Sequence, residues 1–217
     1  SQVARAEFLI CQAFLRLLLD DPRRALEILE EVRPLLPFIT GMTSQSFYHV
    51  FRLIGLSEAR ESCVSNECIE ELAYVDALVA DCPENFLPWL LFARAVRSRH
   101  LNQNEMVHLL DDADESAENF GSKNVSALVA LELHRWWKGK SQRKAQFFAK
   151  SAWQSLAKWG VGRLASLVVM EASGAAPPHQ VSKEPSSSDL IDSECITRIS
   201  NALGEEAIEP NRLLRTL

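Results

Sequence analysis

The chain has 217 residues, 47% of them hydrophobic, enough apolar material to bury a substantial core and to exclude disorder throughout. A formal net charge of -6 disfavours phosphate backbones and anionic lipid surfaces, so neither nucleic acid nor membrane is expected as the main partner. No apolar run approaches the ~20 residues that cross a bilayer, because Arg5, Glu7, Arg16 and Asp20 interrupt the first candidate.

Apolar groups at Phe8, Leu9, Cys11, Ala13, Phe14, Leu17 and Leu18 recur at helical spacing and predict a helix over 3–19. Asp20-Asp21-Pro22 stops it; Asp21 is a cap for the next helix, with Pro22 at its first position and Ala25, Leu26, Leu29 and Val32 on one face. Pro34, Pro37 and Gly41 form a connector. Ser44 or Ser46 then starts a helix bearing Phe47, Val50, Phe51, Ile54 and Leu56, and its return helix over 67–79 turns Ile69, Leu72, Val75, Ala77 and Leu78 inward.

A third hairpin is predicted over 86–99 and 104–120, with Gly121 suited to the helix end. Its second helix alternates Asp111, Asp112, Asp114, Glu115 and Glu118 with Leu109, Leu110, Ala113 and Ala117, one solvated face and one packed face. The fourth comprises 125–137 and 142–159, closed by Gly160. Return helices open on Ala25, Ile69, Met106 and Ala145, a spacing of roughly 40 residues that matches helical-hairpin repeats. Such units cannot bury their apolar faces alone, and stacking gives a long surface for a peptide or domain.

A last helix is expected over 161–172, a Ser- and Pro-rich linker over 173–188, and a C-terminal helical segment over 189–217 carrying Ile191, Cys195, Ile196, Ile199 and Leu203. The reading is therefore an all-α, right-handed α-solenoid of about four hairpins over 1–172. The apolar C-terminal positions raise self-association through that segment. Because an amphipathic pattern is already under way at Ser1, with no secretory signal, a fragment of a longer chain is expected.

The residues offer little chemistry. Cys63, Cys68 and Cys82 match no zinc spacing, and five cysteines at irregular intervals suit a reducing, cytoplasmic setting. His49, His100, His108, His134 and His179 are scattered, and the acidic run at 111–118 lacks the glycine and terminal glutamate of a calcium loop. No glycine pattern cradles a phosphate, so no cofactor is expected. Lys138, Lys140, Arg143, Lys144 and Lys150 lie among Trp136, Trp137, Phe147, Phe148 and Trp153. The helical phase assigns these aromatics mostly to a hairpin core and the cations to its turn and outer face, a candidate surface for an anionic partner.

Cys82, Pro83, Glu84, Asn85 and Phe86, followed by a Leu- and Ala-rich helix, resemble the helical region of very large hybrid sensor kinases. Further landmarks follow in the same order: Asn124, the Ala- and Leu-rich 127–133, the basic 138–140, and a helix ending in Trp159-Gly160. Ser186 to Leu190, Ile199-Ser200 and Leu213-Leu214 are similar to the stretch that leads into a GAF domain. In that family a serine/threonine-kinase-like domain and an AAA-type ATPase precede a tetratricopeptide-like region, and a GAF sensor and a histidine kinase follow. His134-Arg135-Trp136-Trp137 departs from the family's plainer aromatic helix, and kinase, ATPase and phospho-acceptor motifs are absent from these residues. The resemblance implies a non-enzymatic relay module of a two-component kinase, bound to protein or to adjacent domains of its own chain. A stand-alone adaptor is the alternative, and an unrecognised enzyme with a polar cleft is a third.

Overall fold

The computed structural model describes residues 1–59 and 63–159, and these residues are all-α. Their helices are α1 (Gln2–Leu18), α2 (Pro22–Val32), α3 (Thr43–Glu58), α4 (Asn66–Asp81), α5 (Pro83–Leu101), α6 (Gln103–Phe120), α7 (Lys123–Trp137) and α8 (Gln142–Lys158). No described helix is long and apolar enough to cross a membrane. The expected helix over 161–172, the linker and the C-terminal segment lie outside the described residues, as does Gly160.

Local chemistry explains most boundaries. The Asp21 carboxylate accepts from Arg24 N at 3.2 Å, and Pro22 opens α2 where no N–H is needed. Asn102 alone separates α5 from α6 and caps the latter, and Gly121 ends α6 with φ +78°, a left-handed turn that favours glycine. Two boundaries differ from expectation. The proline connector is largely wound into a 3₁₀ stretch, Arg33–Phe38, because Pro34 and Pro37 fix φ near helical values while lacking the N–H groups of a longer ladder. The third helix starts at Thr43, before either serine, and neither serine caps it. The Gln45 side chain reaches back instead to accept from Gly41 N at 3.0 Å.

Connections this short make consecutive helices antiparallel neighbours, so α1, α3, α5 and α7 all run the same way. Each of these also packs on the next odd helix, α1 on α3, α3 on α5 and α5 on α7, forming an inner row. Two of these helices are buried nearly all round: every residue of α3 from Val50 to Glu58 and of α7 from Asn124 to His134 is buried except Ser126. The outer helices bury one stripe each. On α4 that stripe centres on Cys68 and Val75, and Ile69, expected inside, is 51% exposed. Cys68 is the buried residue that opens α4, three residues after its N-cap Ser65, whereas Ala25, Met106 and Ala145 lie four after theirs.

The core centres on aromatic rings from several helices. Phe14 of α1 stacks on Phe51 of α3 at 4.7 Å and meets Trp89 of α5 and Trp159 edge-on at 5.9 and 5.6 Å. Phe47 joins Phe51, Trp89 and Phe86. Each such pair contributes about 0.5–1.5 kcal/mol beyond the area it buries. Gly55 lets α2 approach closely, since a Cβ there would lie 3.0 Å from Leu26 Cδ2.

Candidate interaction surface

Four cations proposed from the sequence, Lys138, Lys140, Arg143 and Lys144, are gathered at the turn between α7 and α8, and all four are exposed. Gly139, at φ +90°, makes that turn, and Ser141 N bonds back to Trp137 O at 3.0 Å. The hairpin closes tightly because α8 presents Ala145, Ala149, Ala152 and Leu156 to its neighbours. His134 locks the register: its Nδ1 lies 2.9 Å from Ala145 O, and a carbonyl only accepts, so Nδ1 carries the proton.

Lys140 Nζ sits 2.7 Å from the Trp136 ring centre and Lys144 Nζ 3.7 Å from that of Trp137. Each cation–π contact is worth about 0.5–1 kcal/mol on an exposed surface. The expectation that the aromatics here mostly form the hairpin core holds for Trp136 and Phe148, which pack partly buried against it, and is corrected for Phe147 and Trp153. Alanines make the contact, Phe147 is 67% and Trp153 41% exposed, and Trp136, Trp137 and Phe148 are half-buried. Small side chains bring α8 so close to its neighbour that large ones at the adjoining phases have no room inside. Arg143, Phe147, Lys150, Gln154 and Lys158 then share one exposed stripe at helical spacing. No Asp or Glu occurs anywhere in residues 133–159, a signal that the overall charge of -6 conceals.

The residues that carry the family resemblance are spread through the framework. Cys82 joins α4 to α5: its N–H donates to Leu78 O at 2.8 Å, and the Asn85 amide donates to its sulfur at 3.1 Å. Pro83 opens α5, Glu84 lies in its first turn, and Phe86 enters the aromatic core. Asn124 is buried at the start of α7, its Oδ1 accepting from Val125 N. Trp159 packs on Phe14. Phe86 and Trp159 thus serve one core, and none of these residues meets the basic turn.

Two charged clusters have no counterpart in the sequence reading. Arg52 of α3, its side chain 4% exposed, pairs with Glu30 of α2 and with Glu67 and Glu71 of α4, the last two at 3.0 Å. Desolvation pushes Glu30 upward, but the hydrogen bond and charge of Arg52 outweigh it and hold the carboxyl below its ordinary value. His49 donates to Glu71 at 2.7 Å and stacks on Tyr74.

The second cluster lies where the C-terminal ends of the inner helices meet. Glu132 of α7 is ion-paired to Arg99 of α5 at 2.5 Å and to Arg135 at 3.4 Å. Arg135 also donates to Leu18 O at 3.2 Å and faces Asp20 at 3.5 Å, joining the first hairpin to the fourth. Glu58 is buried beside them and its Oε2 has no partner; burial pushes its carboxyl up to about 7, against the attraction of Arg135 and with the repulsion of Glu132. His100 Nε2 donates to the Glu58 backbone carbonyl at 2.9 Å. Such partners lie far apart in sequence, and no local pattern announces them.

Among the described residues no group of three His, Cys, Asp or Glu side chains is arranged to hold a metal ion. Comparison of the chain with protein-family models, with curated proteins and with solved structures finds no match.

Proposed function

We propose that the chain is a non-enzymatic protein-interaction and signal-relay module that takes a protein partner, or an adjacent domain of its own chain, at its basic and aromatic end. One observation carries the reading: the α7–α8 turn and the outer stripe of α8 form an acid-free, cationic surface with exposed aromatic rings on a chain of net charge -6. Because Lys140 and Lys144 already cover faces of the two tryptophans, base stacking is disfavoured there, and carboxylates of a protein fit the exposed cations better. The packing of consecutive helices supports tetratricopeptide-like hairpins, whereas the contacts of Phe14 with Trp159 and of Arg135 with Leu18 join the first hairpin to the fourth and count against an extended right-handed α-solenoid. The resemblance to hybrid sensor kinases supports a cytoplasmic relay between an ATPase-type domain and a GAF-type sensor, a role that requires two arrangements of the packed helices.

Titrating the 217-residue chain with an acidic amphipathic peptide tests the surface. Lys138→Glu, Lys140→Glu, Arg143→Glu and Lys144→Glu together are expected to abolish binding while helicity is retained. Undiminished binding contradicts the reading, as does tighter binding to a single-stranded oligonucleotide of equal charge. The coding sequence beyond Leu217 tests the relay separately: a GAF-like segment supports it, and its absence leaves an adaptor.

A further inference from the structure

The cationic stripe has an electrostatic complement within the same chain. Residues 189–209 carry Asp189, Asp192, Glu194, Glu205, Glu206 and Glu209 against a single cation, Arg198, with Ile191, Ile199 and Leu203 among them. From Arg143 through Phe147 and Lys150 to Lys158, α8 offers the opposite pattern, cations flanking an exposed ring. We propose that the acidic segment 189–209 docks in cis on the exposed stripe of α8 and the basic α7–α8 turn, so that an external acidic partner must displace it.

Reach and concentration both favour this occupant. The stripe along the 17 residues of α8 is roughly 25 Å long. The chain between Trp159 and Asp189 spans up to about 100 Å when extended, so every part of the stripe is within range. Tethering gives the segment an effective concentration on the order of millimolar, which a weak electrostatic contact needs in order to be occupied. The charges are exposed, so the contact is salt-sensitive, with a Debye length of about 3 Å at 1 M ionic strength.

The inference rests on the basic end being a partner surface, and the experiment separates the two. Carbodiimide coupling of the intact 217-residue chain at low salt, mapped by mass spectrometry, is expected to join Lys138, Lys140, Lys144 or Lys150 to carboxylates of 189–209. Yields fall severalfold at about 1 M salt, and those at the retained Lys150 fall severalfold in the chain carrying Lys138→Glu, Lys140→Glu and Lys144→Glu. Neutralising the segment with Asp189→Asn, Asp192→Asn, Glu205→Gln and Glu206→Gln is expected to raise affinity for the added acidic peptide severalfold. The proposal is overturned if these cross-links are absent, if they spread equally to Lys123, or if a mixture of isotope-labelled and unlabelled chains links only between copies. Unchanged peptide affinity after neutralisation also overturns it, even while the peptide still binds the turn. Loss of the partner-surface reading is marked differently, by peptide binding that survives reversal of the lysines.

Discussion

Arg52 and Glu58 lie six residues apart on α3, both buried, yet their surroundings treat charge in opposite ways. Around Arg52 three carboxylates converge on one guanidinium, whose nitrogens all find oxygen partners. Around Glu58 the two nearby cations, Arg99 and Arg135, both pair with Glu132, and neither Glu58 Oε2 nor Arg99 Nε has a hydrogen-bond partner. The first cluster therefore holds Glu30 below its ordinary value, and the second holds Glu58 above it. Burial is the largest influence at Glu58, opposed by Arg135 and Arg99 and reinforced by Glu132, whereas Glu30, with its side chain 48% exposed, is held low by Arg52.

The most disruptive way to test the comparison is Arg52→Ala. It leaves Glu71, which is nearly buried, with His49 as its remaining partner, and is expected to cost about 3 kcal/mol in urea unfolding at pH 7. A loss below about 1 kcal/mol would mean that the three carboxylates are solvated well enough to do without it.

Glu58→Gln removes the other half. The folded-state value of Glu58 is raised from 4.5 to about 7, so its contribution is fully present below 4.5 and is lost as pH rises toward about 7. The glutamine variant keeps the neutral shape at every pH. It is expected to be more stable than the parent by about 3 kcal/mol at pH 8 and nearly equal to it at pH 4.5. Glu30 acts in the reverse direction, because a carboxyl held low contributes above its ordinary value and loses that contribution on acidification. A stability profile that falls on both sides in the parent and only on the acid side in Glu58→Gln expresses the contrast. Parallel profiles would contradict it.

The smallest expected effect is at Asp20, which closes α1 with φ 60° where glycine is favoured and faces Arg135 across an exposed gap. Asp20→Gly relieves about 1 kcal/mol of backbone strain and removes an ion pair of similar or smaller worth. Thermal unfolding is expected to show a change within about 0.5 kcal/mol at low salt and a gain at high salt, where the pair is screened.

Features set by neighbours in sequence were readable in advance. Asp21-Pro22 starts α2, Gly121 ends α6, and the acidic face of α6 is solvated as the alternation requires at Asp111, Asp112, Glu115 and Glu118. The basic turn was legible too, since its cations are consecutive or nearly so. Features set by rotation about a helix axis were read less well: one residue of phase exchanges Ile69 for Cys68, and a face of alanines on α8 turns Phe147 and Trp153 outward. The Arg52 and Glu58 clusters were illegible because each joins helices that only tertiary packing brings together. In one sequence, a lone arginine or glutamate in an amphipathic helix has the same pattern whether it is solvated or enclosed.

The most direct measurement for the account as a whole is the salt dependence of acidic-peptide binding, compared between the parent chain and the variant reversed at Lys138, Lys140, Arg143 and Lys144. A contact made by the basic end predicts affinity in the parent that falls steeply with added salt, and no measurable binding in the variant at any salt. Equal affinities and equal slopes in the two chains would place the partner elsewhere on the molecule and contradict the proposal.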